Sequence, residues 1–413
     1  MRLVHYVLML LVFVTSVSFA AEKKTYALTK RTYKALTEVN ELTEQKDYSQ
    51  AISKLNILLE KNLSAYEHAQ TWFIKGSIYY QQDKIDQAYN AFEQVIRVPE
   101  KLSEVLRVNA FRTLTQLSLS LDKHEKALKY GKQLLLVSNS LENDHALLAQ
   151  AFYRAEQYKQ AATHITTSLK ISRQANKVPK ENILLLQNAI YFEFEDHANM
   201  LETLKELTKH YPKPTYLLYM SSVYGQLGDM KNQTILMETL FENGNLTKDN
   251  QLVNLASLYV AQHVPHKGAK LLENAINSKQ VATTENNLSM LSQAWLLAAE
   301  KDKAINAMGE AAALSKDGEL YLRQAYLYFD DFNWQYANNA ANKAINKGFE
   351  KGKQLAEAYL LVAMSQTNLK NFDKALVAGE KALNLASSKK LAKQWLRYIH
   401  SEKDKYAQLK TYK

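Results

Sequence analysis

One position recurs ten times along this chain, at spacings of 33 to 39 residues: Ala51, Ala88, Ala127, Ala161, Met200, Gln233, Gly268, Ala304, Ala337 and Ala375. Most of these residues are Ala or Gly. A period of that length holds two helices and a turn, and a small side chain at one point lets the two helices approach closely. Four residues on stands a large residue sized to plug the hairpin: Leu55, Phe92, Ile165, Leu204, Met237, Leu272 or Met308. Upstream stands a large aromatic: Tyr79, Phe152, Tyr191, Tyr224, Tyr259, Trp295 or Tyr328. A unit this small cannot bury its apolar face alone, so successive units must stack.

The turns within the hairpins are also legible. Gly228-Asp229, Asp331-Phe332-Asn333-Trp334 and Lys370-Asn371-Phe372-Asp373 each precede a second helix. Gly, Asn and Asp are expected there because they tolerate left-handed and capping conformations. Pro99, Pro179, Pro212 and Pro214 fall between hairpins, and Pro265 falls in the seventh turn. No stretch alternates with period two for long enough to suggest a sheet.

The best copy reads Trp72, Gly76, Tyr79, Ala88, Phe92, Val95 and then Pro99. That order of large and small residues resembles the tetratricopeptide repeat (TPR), a helix–turn–helix unit of about 34 residues. The resemblance implies an all-α fold, a superhelical solenoid of about ten repeats over residues 32–388. Beyond it, Leu391, Trp395, Leu396 and Ile399 share a helical face within residues 389–413, as a capping helix would. The resemblance also implies a protein-binding groove lined by the first helix of each unit. Residues one and five positions beyond the packing residues then become groove candidates: Phe73, Tyr80, Arg112, Tyr153, Arg154, Leu218, Tyr326 and Phe329. Aromatics and Arg are typical interface anchors.

Residues 1–20 are expected to be a secretory signal peptide. Arg2 supplies the positive start, Val7 to Val14 an apolar run too short to span a bilayer, and Ser18-Phe19-Ala20 the small residues before a cut ahead of Ala21. The chain has no Cys, which removes disulfides, thiolate metal sites and thiol catalysis together. A periplasmic location follows as the expectation.

The formal net charge is +10, and it gathers at the ends. Residues 21–31 open a basic stretch in which Lys23, Lys24, Lys30, Arg31 and Lys34 face Glu22 alone. Residues 389–413 carry Lys389, Lys390, Lys393, Arg397, Lys403, Lys405, Lys410 and Lys413 against Glu402 and Asp404. Two readings compete: solubility with cations favourably placed at a helix C-terminus, or attraction to an acidic partner or an anionic envelope surface. Nucleic acid is not expected, because the aromatics occupy hairpin core positions where bases cannot stack on them.

Chemistry finds little support. His263 and His266 stand three apart at a turn with no third ligand nearby. Glu193, Glu195, Asp196 and His197 flank the fifth turn, where solvated acids cap helices. No catalytic residue, cofactor or metal is expected.

A narrower resemblance lies at the end of the chain. Residues 357–364 (EAYLLVAM), 368–372 (NLKNF) and 392–399 (AKQWLRYI) are similar to the last repeat and cap of a particular group. These are exported TPR proteins associated with TonB–ExbB–ExbD energy-transducing systems of gamma-proteobacteria. The resemblance implies a periplasmic accessory of nutrient uptake, with TonB-system components or outer-membrane receptors as partners. The alternative is an adaptor in envelope biogenesis or polysaccharide export.

Overall fold

The computed structural model describes residues 26–411, apart from 140 and 351. The expected signal peptide lies outside the described residues. These are helical, with two short 3₁₀ turns and no strand among them. The chain divides into two compact units, one through Asp196 and the other from His197. The first unit holds α1 (Lys30–Glu44), α2 (Tyr48–Leu59), α3 (Ala65–Gln81), α4 (Ile85–Val95), α5 (Glu104–Ser120), α6 (His124–Val137), α7 (Leu141–Arg154), α8 (Tyr158–Gln174) and α9 (Glu181–Glu193). The second holds α10 (His197–His210), α11 (Pro214–Gln226), α12 (Met230–Glu242), α13 (Asp249–Ala261), α14 (Pro265–Asn277), α15 (Glu285–Leu297), α16 (Lys301–Leu314), α17 (Glu319–Asp330), α18 (Trp334–Lys347), α19 (Gly352–Asn368), α20 (Phe372–Leu383) and α21 (Lys389–Thr411). Within each unit successive helices pack as antiparallel hairpins of the TPR type.

Every first helix ends in the same turn. Lys46, Asp83, Asp122, Glu156, Glu195, Gly228, His263, Ala299, Phe332 and Lys370 each take a positive φ. The N–H of the next residue reaches back to a carbonyl five residues earlier, as from Lys84 to Tyr79 at 3.0 Å, Val264 to Tyr259 at 2.8 Å and Glu300 to Trp295 at 2.9 Å. This is a Schellman closure, which satisfies two carbonyls at the helix end. Each left-handed residue stands five positions before one of the ten small-residue positions, and the expected aromatics are the carbonyl acceptors. The repeat register read from sequence therefore coincides with the backbone turn in every unit.

The turn chemistry differs from expectation. Gly occupies the left-handed position once, while Lys46, Phe332 and Lys370 hold φ near 60° in others. Asp47 and Asp229 cap the following helix through their side chains, whereas Asn333 and Asn371 do not. The backbone bonds of the closure are independent of side chain, so a cost of about 1–2 kcal/mol for a left-handed residue is absorbed.

Packing follows the small positions. Ala51, Ala88, Ala127, Ala161, Ala304, Ala337 and Ala375 are wholly buried. At Gly268 an added Cβ would lie 2.7 Å from the Ala256 carbonyl oxygen, so the seventh hairpin requires Gly. The sixth hairpin reverses the arrangement. Gln233 takes the small position, and the opposing helix supplies Gly225, where an added Cβ would meet the Gln233 amide at 2.8 Å. The plug residues Leu55, Phe92, Ile165, Leu204, Met237, Leu272 and Met308 are all buried.

The start of the first unit is tied down by one carboxylate. Glu67 forms a capping box on α3, with Ser64 N–H donating to its Oε2 at 3.0 Å and Ser64 Oγ accepting from Glu67 N–H at 3.2 Å. Its Oε1 accepts the N–H of Thr29, the N-cap of α1, at 2.9 Å. At the other end of the chain, Ala392 and Ile399 of α21 are wholly buried, and Tyr406 leans on Phe372 with ring centroids 5.6 Å apart. Leu391 departs from the expected apolar face and is half-exposed. Lys389 and Lys390 sit in the first turn of α21, the positive end of its dipole, while Lys403 and Lys405 lie in its C-terminal half.

Candidate functional site

In the first unit, α5, α7 and α9 present side chains to a shared cleft of about 750 Å³. Asn143, Leu147, Gln150 and Arg154 line it at successive turns of α7, one face of a helix. Arg112 and Gln116 come from α5, and Asn182, Ile183 and Leu186 from α9. Three of the eight sequence candidates, Arg112, Tyr153 and Arg154, meet here.

The cleft is held by fixed polar contacts. Arg112 forms a two-pronged pair with Asp144, Nε to Oδ1 at 2.8 Å and Nη2 to Oδ2 at 2.9 Å. Asp144 is wholly buried and also accepts from Ser138 Oγ. A bidentate pair of this kind fixes the guanidinium plane. Lys180 Nζ donates to Asn143 Oδ1 at 2.7 Å, joining the start of α9 to α7. Tyr153 Oη donates to Glu193 Oε1 at 3.3 Å; burial, and then the Glu193 carboxylate, push this phenol above its ordinary range. Arg154 pairs with Asp122, but both are exposed enough for water to weaken the pair.

The other candidates lie elsewhere. Tyr80 and Tyr326 are exposed at 50% and 39%. Phe73 meets Phe92 edge-on within its own hairpin, centroids 5.2 Å apart, and Phe329 meets Trp334 at 4.8 Å. Leu218 is partly buried against a core cluster of the second unit. These last three are hairpin packing residues as much as surface groups.

Sequence reasoning missed several groups. Asp144 is separated from Arg112 by 32 residues, and no local pattern announces the pair. His145 and His164 stack across the α7–α8 hairpin with Nδ1 atoms 2.9 Å apart, and His164 also stacks on Phe152. Lys75 is buried between Asn56, 2.6 Å away, and the Trp72 ring, 4.5 Å from its centroid. In the second unit a smaller cleft of about 510 Å³ lies among Asn306, Tyr321, Gln324 and Lys343.

Of the acidic cluster at the fifth turn, Glu193 accepts from Tyr153 and Glu195 is the left-handed turn residue. His263 is likewise a turn residue, and His266 meets Trp295 edge-on at 5.4 Å. Among the described residues no three His, Asp or Glu side chains gather as a metal set. Nor is any described helix long and apolar enough to cross a membrane. The first-unit cleft offers amides, a fixed guanidinium and a lysine beside apolar side chains. Such groups suit an extended polypeptide, whose backbone both donates and accepts hydrogen bonds.

No family model matches the sequence, and no curated protein does. Among solved structures, a tetratricopeptide repeat protein from Parabacteroides merdae is 16% identical, covering 63% of this chain and 99% of its own, with a TM-score of 0.34. The C-terminal part of a TPR repeat-containing protein from Cytophaga hutchinsonii is 17% identical over 60% of this chain and 98% of its own, with a TM-score of 0.41. The TPR2AB domain of yeast Sti1, in complex with an HSP90 peptide, is 17% identical over 64% of this chain and 100% of its own, with a TM-score of 0.30. Likeness at this level is confined to repeat architecture. The TPR-type fold rests on the recurring closures and small-residue contacts of the chain itself.

Proposed function

We propose that this protein is a non-catalytic scaffold that binds protein partners along the first helices of its hairpins. The observation that carries the reading is the cleft of α5, α7 and α9. Arg112 is locked by a buried carboxylate there, and Gln116, Asn143, Gln150 and Asn182 surround it. Repeat folds use such inner surfaces for binding. Fixed side chains lower the ordering cost of association.

The finer reading is an exported, periplasmic accessory of a TonB-type uptake system. It is supported by the secretory pattern of residues 1–20 and by the resemblance of the C-terminal segments. In the fold those segments supply the core of the last hairpin and its cap: Leu360, Ala392 and Trp395 in one cluster, Leu361, Phe372 and Ile399 in another. The test is crosslinking of the tagged protein in intact cells, with growth of a deletion strain on scarce siderophore iron. Capture of TonB, ExbD or an outer-membrane receptor, with impaired growth only when iron is scarce, is expected. Capture of export or assembly machinery, with growth unchanged, refutes the uptake role and leaves the scaffold reading standing.

A further inference from the structure

The first turns of α21 carry a charge arrangement that folding does not explain. Lys389, Lys390, Lys393 and Arg397 are exposed and follow one another over about 12 Å of helix. They occupy the N-terminal part of α21, which has no acid in its first turn. Lys389 and Lys390, in the first turn, oppose the helix dipole and weaken the helix, whereas Lys393 and Arg397 lie beyond that turn. Among the described residues none of the four makes an ion pair, whereas Lys403 and Lys405 further along pair with Asp373 and Glu402.

A second feature adjoins this face. Ala392 and Ile399 point into the core, which turns Lys390, Lys393 and Arg397 outward. Leu391, Tyr398 and Leu409 lie along one line between the buried and the basic faces, exposed at 48%, 50% and 65%. Trp395 stands edge-on to Tyr398, with centroids 5.4 Å apart. The helix thus shows cations and, beside them, an uncovered strip of apolar and aromatic groups.

We propose that the outer face of α21 docks the protein onto a bilayer surface bearing anionic headgroups. Lysine and arginine contact the headgroup phosphates, while Leu391, Tyr398 and the Trp395 edge settle at the boundary with the acyl chains. An acidic polymer matches the cations but gives the apolar strip no role, whereas a bilayer surface takes both along the helix, cations at its phosphates and apolar groups at the acyl boundary. An acidic protein surface is the rival that failure to bind anionic vesicles would favour. This assignment is independent of the cleft in the first unit.

The test is vesicle co-sedimentation of the full chain, using neutral phosphatidylcholine vesicles and vesicles with about one-third phosphatidylglycerol. Binding to the anionic vesicles, weakening as salt rises, is expected. The Lys390→Gln/Arg397→Gln variant is expected to bind roughly 30-fold more weakly, at about five-fold per cation. Its melting temperature should hold or rise slightly, since removing Lys390 relieves the dipole conflict of the first turn; a structural role for these cations would lower it. Leu391→Ser/Tyr398→Ser is expected to weaken binding as well. Any contribution of residues 1–20 is common to parent and variants. Equal binding to neutral and anionic vesicles, or undiminished binding by the charge variant, overturns the proposal. Weakening by the charge variant with undiminished binding by the Leu391/Tyr398 variant overturns the part given to the apolar strip, since the cations alone would then hold the headgroups.

Discussion

Glu67→Gln isolates how the start of the first unit is held. The carboxylate is 3% exposed and receives two backbone N–H groups, from Thr29 and Ser64. Burial by itself would push the acid up. The N–H groups of Thr29 and Ser64, with the hydroxyls of Thr29 and Thr32, outweigh it and bring the carboxyl from 4.5 down to about 2. A unit of pKa is worth about 1.4 kcal/mol, so the ionised group contributes roughly 3 kcal/mol. Because the folded pKa is depressed, that contribution is complete above the unfolded value of 4.5 and is lost as pH falls towards 2. Gln keeps one acceptor but turns an amide donor towards the other N–H, leaving a buried donor unsatisfied at about 1–3 kcal/mol. Repeat folds open locally, so the assay is amide exchange of α1 and α3 at pH 7 and pH 3. The parent should lose protection at α1 on acidification, and the Gln variant should begin low and change little. Equal protection of parent and variant at pH 7 would refute the reasoning.

Three further perturbations follow from named contacts. Arg112→Ala leaves Asp144 buried without its partner and should cost about 3–5 kcal/mol; replacing both by Leu should recover most of this, and a coupling under about 1 kcal/mol in urea unfolding would contradict the pair's role. Ala161→Leu or Ala337→Leu overpacks a wholly buried contact and should cost about 1–3 kcal/mol, with an unchanged melting temperature counting against the repeat register. Burial holds His145 and His164 below the ordinary histidine range, and His145 and Lys132 lower His164 further, whereas Asp144 raises His145. Their stabilisation should therefore be complete above about pH 6.5 and decline as pH falls below it; His164→Phe should flatten that decline in a pH series of melts.

The repeat register was legible because sterics act on one residue at a time. A buried contact with no room for a side chain shows itself as Ala or Gly at eight of its ten recurrences, Met200 and Gln233 being the others, and the backbone closures fall five residues upstream of each. The left-handed residue was not legible, since the closure bonds are backbone bonds and even Phe332 and Lys370 are tolerated. Gln233 fills a position that is small in most repeats, and only the facing helix shows why, since Gly225 gives up the space there instead. The cleft was legible only in part. Helical spacing identifies the face that Tyr153 and Arg154 occupy. It cannot say that Arg112 is bound by Asp144, or that Phe73 and Phe329 turn into aromatic contacts within their own hairpins. Charge counts likewise revealed basic ends without showing that Lys389 and Lys390 stand at the unfavourable end of α21.

The central claim, that the first-helix face of α5, α7 and α9 is where a protein partner sits, can be tested one residue at a time. A photo-crosslinking side chain placed at Gln150, exposed in the cleft, is compared in living cells with one at Lys170, exposed on α8. A discrete protein adduct from position 150 and none from position 170 is the predicted result. Adducts of equal yield from both positions, or none from position 150, would contradict it.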